Sequence, residues 1–172
     1  MEVSRQGSRL SIQRRWFGLH LLFLLFFCIA WDGFLIFWYS IALTQENVPW
    51  IMVVFPVGHL AVGVGLTYYV VAGFMNRTEI ACDGSTLSVR HFPLPWPGAL
   101  TLRCADAEQF FTVEHIGSEG SRSYEVCAVL RDGRKVEVLG SLTNPGEALF
   151  LEQTLESYLG LENRAVAGEY RV

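Results

Sequence analysis

The sequence predicts a membrane α-helical hairpin of two transmembrane helices followed by a small antiparallel β-barrel or sandwich closed by a C-terminal helix. Three observations predict it. Two long apolar runs, Trp16 to Leu43 and Trp50 to Phe74, lie only six residues apart. From Arg77 the chain turns to short alternating segments broken by Asp-Gly pairs, and it finishes on an amphipathic stretch with helix start and stop residues. The organisation expected is a basic cytoplasmic amino terminus (1–15), a first span (16–43), an outer loop (44–49), a second span (50–74), a cytoplasmic β domain with its helix (76–162) and a tail (163–172).

At about 1.5 Å rise per residue the two runs reach roughly 42 and 37 Å, longer than a hydrocarbon core of about 30 Å requires. Both therefore span with room to tilt. The first run is too long and too aromatic for a secretory leader and lacks a small-x-small cleavage site. Arg5, Arg9, Arg14 and Arg15 precede it against Glu2 alone, the connection Thr44 to Pro49 carries no basic residue, and Arg77 follows the second run. The bias of basic residues toward the cytoplasm places the amino terminus and everything after Phe74 on that side. Trp16, Trp38, Tyr39, Trp50, Tyr68 and Tyr69 fall near span ends, at headgroup level. Cys28, Cys82, Cys104 and Cys127 show no metal-site spacing and read as reduced thiols.

Polar residues within the spans are the candidates for function. Asp32 is the most unusual, because a carboxylate at the helix centre costs about 2.5–3.5 kcal/mol on insertion scales unless neutralised or paired. Helical rise brings His59 to within about 3 Å of its depth, so a hydrogen bond across the hairpin is expected. That pairing, or a protonated Asp32 bonded to a neighbouring backbone group or Tyr hydroxyl, fixes helix register; a proton-relay or ligand role, or contact with another membrane subunit, are the other readings. His20 and His59 are candidate haem or chlorophyll ligands, but a depth difference of roughly 15 Å prevents both from holding one haem within this hairpin. No cofactor is expected. Gly58, Ala61 and Gly65 give the second span small-residue spacing for close helix approach, to the first span or to a partner helix, and Pro56 can kink it.

In the soluble part, strands are expected at Thr78 to Cys82, Leu87 to Phe92, Leu100 to Arg103, Gln109 to His115, Tyr124 to Leu130 and Lys135 to Leu139. Asp83-Gly84 and Asp132-Gly133 serve as hairpin turns. Asn144-Pro145-Gly146-Glu147 supplies an N-cap, a first-turn proline and a capping glutamate. Ala148, Leu151, Leu155 and Leu159 follow on one face, and Gly160 ends the helix. Glu152 and Glu156 read as its solvated face.

The Asn76 to Ile80 strand after two helices, the Asp83-Gly84 turn, the Pro93 to Gly98 loop, the Arg131 to Arg134 hairpin and the Leu151 to Glu156 helix together carry a resemblance. The chain resembles uncharacterised bacterial two-helix membrane proteins with a pleckstrin-homology-like cytoplasmic domain, over about residues 16–162. The resemblance implies interaction modules and accessory proteins of membrane complexes, with no catalytic residues to carry over. Six strands are one fewer than the usual seven of that barrel.

From Asn76 onward the chain has nine basic against fourteen acidic residues, with Lys135 its only lysine. Anionic headgroups and nucleic acid would be repelled overall. The group Arg131, Arg134 and Lys135 reads as a solvated turn able to touch a membrane surface. Trp96, framed by prolines, is the best contact candidate, either docking a partner or folding back on the barrel. His91 and His115 lack any nucleophile-elbow, metal-helix or phosphate-loop spacing, so no enzyme activity is expected. The leading expectation is a non-enzymatic inner-membrane accessory or assembly subunit that packs against a larger membrane protein complex, with Asp32, His59, Gly58, Ala61, Gly65 and Trp96 making contacts. The rival is a stand-alone membrane-anchored sensor whose β domain binds a ligand.

Overall fold

Strands from both sides of the helical hairpin belong to one sheet. A computed structural model describes residues 1–118 and 120–170. In order, its elements are β1 (Glu2–Gln6), β2 (Arg9–Arg15), α1 (His20–Ala42), α2 (Trp50–Val54), α3 (Val57–Met75), β3 (Arg77–Cys82), β4 (Thr86–Phe92), β5 (Leu100–Arg103), a 3-10 turn (Cys104–Asp106), β6 (Ala107–Ile116), β7 (Arg122–Leu130), β8 (Lys135–Leu142) and α4 (Pro145–Leu159). Arg15–Asn76 form one unit; Met1–Arg14 join Arg77–Val172 in the other.

In the β unit a five-stranded sheet runs β1-β2-β3-β4-β5 and a three-stranded sheet runs β6-β7-β8. The six strands expected after the spans are all present, and β1 and β2 bring the number to eight. The first fifteen residues, read as a basic leader outside the domain, fold as a hairpin with Gln6 opposite Arg9 and Glu2 opposite Gln13. Gly7 turns it at φ 60°. What holds β2 in place is period two: Leu10 and Ile12 are each 1% exposed, between Arg9, Ser11 and Gln13 on the other face. Because β2 and β3 are neighbours, the helical unit is an insertion between adjacent strands of one sheet.

Of the two expected forms, barrel or sandwich, the barrel is not made: the sheets stay separate. Ile80, Leu87, Val89, Phe110, Val126, Leu142, Leu151 and Leu155 join Leu10 and Ile12 in a single core between sheets and helix. Burying a side chain the size of Phe110 or Leu151 contributes about 1.5–3 kcal/mol each. α4 starts where expected: the Asn144 side chain accepts from the Gly146 N–H at 2.8 Å, and Gly160 ends the helix in the left-handed region at φ 66°. The Glu147 side chain, expected as a cap, pairs with Arg14 of β2 at 3.3 Å.

Glu152 and Glu156 are not solvated. They are 3% and 5% exposed and seal the free edge of β6. The Phe110 N–H donates to Glu156 at 3.1 Å and the Thr112 hydroxyl to Glu152 at 2.6 Å. The Tyr170 N–H donates to the Thr112 carbonyl at 2.7 Å, and Glu169 bridges Val113. An edge that a further strand would pair is thus satisfied by side chains and by the end of the chain.

In the helical unit, α1 buries Leu21, Cys28, Leu35 and Ala42, one residue in every seven. Pro56, Gly63 and Val70 repeat the same interval on the facing segment. A seven-residue repeat is the seam of left-handed helix packing. Pro56 divides the second span into α2 and α3, and proline cannot donate to the carbonyl four residues back. Trp38 Nε1 donates instead to the Met52 carbonyl at 3.0 Å and the Tyr39 hydroxyl to the Val53 carbonyl at 3.1 Å. Two aromatic residues expected only as interfacial anchors thus satisfy backbone that the proline leaves open. At the other end, the Trp16 N–H meets the Asn76 carbonyl at 3.3 Å and ties the base of the insertion.

Candidate functional site

The seam of the helical hairpin carries one polar centre, built around Asp32. Asp32 stands next to the seam and is half-buried. The Thr67 hydroxyl of α3 donates to its Oδ2 at 2.7 Å. Gly63 makes room for it, since a Cβ at that position would lie 2.7 Å from Asp32 Oδ1 and 3.2 Å from the Trp31 ring. The bond expected from His59 is therefore made by Thr67. Thr67 lies one turn to one side of Gly63 along α3 and His59 one turn to the other, and Asp32 reaches toward the first. Trp31, the preceding residue, takes the His59 side: its Nε1 donates to the His59 carbonyl at 3.2 Å, and the His59 ring stacks on the indole at 5.7 Å and 27°. Phe55 lies 5.4 Å from the same imidazole.

Gly58, Ala61 and Gly65 fall on the face of α3 turned away from α1. All three are exposed, and a Cβ added at Gly58 or Gly65 would meet nothing within 4 Å. Close approach to α1 is made by Gly63 and by Gly73, where a Cβ would stand 2.7 Å from Leu21. Both sets are small, and the sequence did not distinguish the set facing α1 from the set facing away. His20 opens α1 and His59 lies in the first turn of α3, so the two histidines occupy opposite ends of the hairpin, and the structure does not bring them together.

In the β unit, Trp96 lies half-buried in the loop between β4 and β5. His91, ahead of that loop, meets the Thr78 hydroxyl through Nδ1 at 2.9 Å. Burial pushes the His91 pKa down against the pull of its hydrogen bond to the Gly98 backbone, and the ring ties the end of the loop back to β3. The Arg131, Arg134 and Lys135 group lies exposed at the β7–β8 turn, as expected, with local partners. Arg131 donates to the Ala105 carbonyl at 2.8 Å, Arg134 pairs with Asp132 at 2.8 Å, and Lys135 lies 4.7 Å from the Phe111 ring centre.

His115, Glu125 and Cys127 come together on β6 and β7, with His115 Nε2 and Cys127 Sγ on Glu125 at 2.9 and 2.8 Å. Nucleophile activation needs the histidine between thiol and acid. Here the carboxylate stands between them, and burial, then the bond to Glu125, pushes the Cys127 thiol up to about 12. The arrangement keeps that thiol protonated. Among the described residues no group of three or more His, Cys, Asp or Glu side chains is placed to hold a metal ion. No protein-family model matches the chain, and comparison with curated proteins gives no relative.

Proposed function

We propose that this chain is a non-enzymatic accessory subunit of a larger bacterial inner-membrane complex, anchored by its helical hairpin with both termini cytoplasmic. The observation that carries the reading is the uncommitted outward surface of the hairpin. In the best apolar windows only 17% of the first span and 11% of the second are buried, whereas the core helix of a soluble protein would be mostly covered. The exposed face of α3 bears Gly58, Ala61 and Gly65, which allow another helix to approach closely. Asp32, with Thr67 its one hydrogen-bond partner among the described residues, retains acceptor capacity for a donor from a neighbouring subunit.

The β unit is the brace on the cytoplasmic face. Strands β2–β8 with α4 amount to seven strands and a closing helix, the inventory of a pleckstrin-homology-like domain, and β1 is an addition at its edge. The half-buried Trp96 loop, fastened by His91, is the docking element in this reading.

Affinity purification of the native chain in mild detergent, with mass spectrometry and an absorption spectrum of the same fraction, tests it. A stoichiometric larger membrane partner is expected, lost on replacing Gly65 by Leu while the chain stays in the membrane. A colourless fraction holding this chain alone would contradict the proposal and point to ligand sensing by the β unit.

A further inference from the structure

Cys82 and Cys104 place two thiols in direct contact within the β unit. Cys82 ends β3 and Cys104 begins the 3-10 turn that leads into β6. Their sulfurs lie 3.2 Å apart, 22 residues from one another in sequence. Local backbone contacts hold the pair: the Cys104 N–H donates to the Ser85 carbonyl at 2.8 Å, and Leu87 of β4 stands opposite both Cys82 and Leu102. Both thiols are free. Bringing the sulfurs to a covalent separation of about 2.05 Å takes a movement of roughly 1.2 Å shared between two side chains.

We infer that Cys82 and Cys104 are a dithiol that a small-molecule disulfide oxidises to an intrachain disulfide, a covalent tie between the end of β3 and the turn joining the two sheets. Cys104 is 7% exposed and Cys82 0%, so the reagent meets Cys104 first. The Cys104 sulfur, its proton released to water, attacks the reagent's disulfide. A mixed disulfide forms and one small thiol leaves. The Cys82 sulfur, deprotonated in turn, attacks the Cys104 sulfur of that mixed disulfide and expels the second small thiol. Two protein S–H groups and one reagent disulfide thus become one protein disulfide and two small thiols.

Contact between the sulfurs makes the second step intramolecular and faster than the first. Burial, with the neighbouring Cys82, pushes the Cys104 thiol up to about 12, so the first step is slow at neutral pH. The pair therefore closes without accumulating an adduct. Cys127, which bonds to Glu125 and has no sulfur beside it, retains one.

Treatment of the purified full chain in detergent with 2,2′-dithiodipyridine, followed by intact mass and peptide mapping, tests this. The expected product has lost two hydrogens, with the Cys82 and Cys104 peptides linked, no thiopyridyl group on either, and a melting temperature several degrees higher until reductant is added. In Cys82→Ala, Cys104 should keep the thiopyridyl group. A wild-type chain that retains the adduct on Cys104, links between chains, or keeps both thiols while Cys127 is labelled would overturn the inference, and that readout does not depend on any variant folding.

Discussion

Glu152 and Glu156 hold their place on α4 at an electrostatic cost. Burial raises both carboxyl pKa values, and the hydrogen bonds from Thr112 and Phe110 only partly oppose it. A carboxyl whose pKa is higher folded than unfolded contributes stability in the protonated form, below the ordinary carboxyl range, and loses it as pH rises through the folded value. Glu152→Gln and Glu156→Gln keep an acceptor oxygen without the charge. Each should leave stability near pH 4.5 almost unchanged and raise it at pH 8 by about 1 kcal/mol, roughly 2–4 °C in melting temperature. Equal effects at the two pH values would contradict that. The spacing of these glutamates is the same as that of any solvated helix face, so their burial was not legible in the sequence; the signal lay in the unpaired edge of β6, which is a property of the sheet. Gly63 makes the complementary residue-scale case. Gly63→Leu forces a side chain into the space of Asp32 and Trp31 and should destabilise the hairpin by about 1–3 kcal/mol. Gly58→Leu, on the open face, should leave the melting of the purified chain unchanged.

At the scale of elements, strands β3–β8 and α4 could be read from turn chemistry and caps. Asp83-Gly84, Asp132-Gly133, Asn144 and Gly160 each determine their own backbone locally. Asp83 shows how strongly: the Thr86 N–H, the Ser85 hydroxyl and the Ser85 N–H hold its pKa down to about 2. The β1–β2 hairpin turns on the two residues Gly7-Ser8 between the paired Gln6 and Arg9, itself a hairpin signal, but its strands are weakly marked. Only Leu10 and Ile12 mark its buried face, in a stretch whose arginines resemble the basic flank of a membrane span, and its partner β3 lies beyond the whole helical insertion. That assignment is testable. If β2 is part of the core, Leu10→Ala should cost the β unit about 2–5 kcal/mol in denaturant unfolding, as a buried leucine does elsewhere. A leader outside the fold would tolerate the change without effect.

For the whole molecule, the hairpin is an insertion between neighbouring strands. The chain leaves the β unit at the end of β2 and returns to it at the start of β3, and the segment between holds two helices long and apolar enough to cross a membrane. The expectation that both flanks are cytoplasmic comes from the placement of arginines around the apolar runs. The barrel closure and the orientation of the small-residue faces stayed illegible because each depends on which surfaces meet, and apolar residues in both spans present much the same pattern on every side. The proposed arrangement is a membrane hairpin whose two flanks fold together on the cytoplasmic side. Labelling single cysteines with a membrane-impermeant thiol reagent, in intact and in opened cells, tests it most directly. Ser4→Cys before the hairpin and Ser157→Cys on α4 should both react only after opening, while Asn47→Cys in the connection reacts in intact cells; labelling of Ser4→Cys and Ser157→Cys from opposite sides would contradict the account.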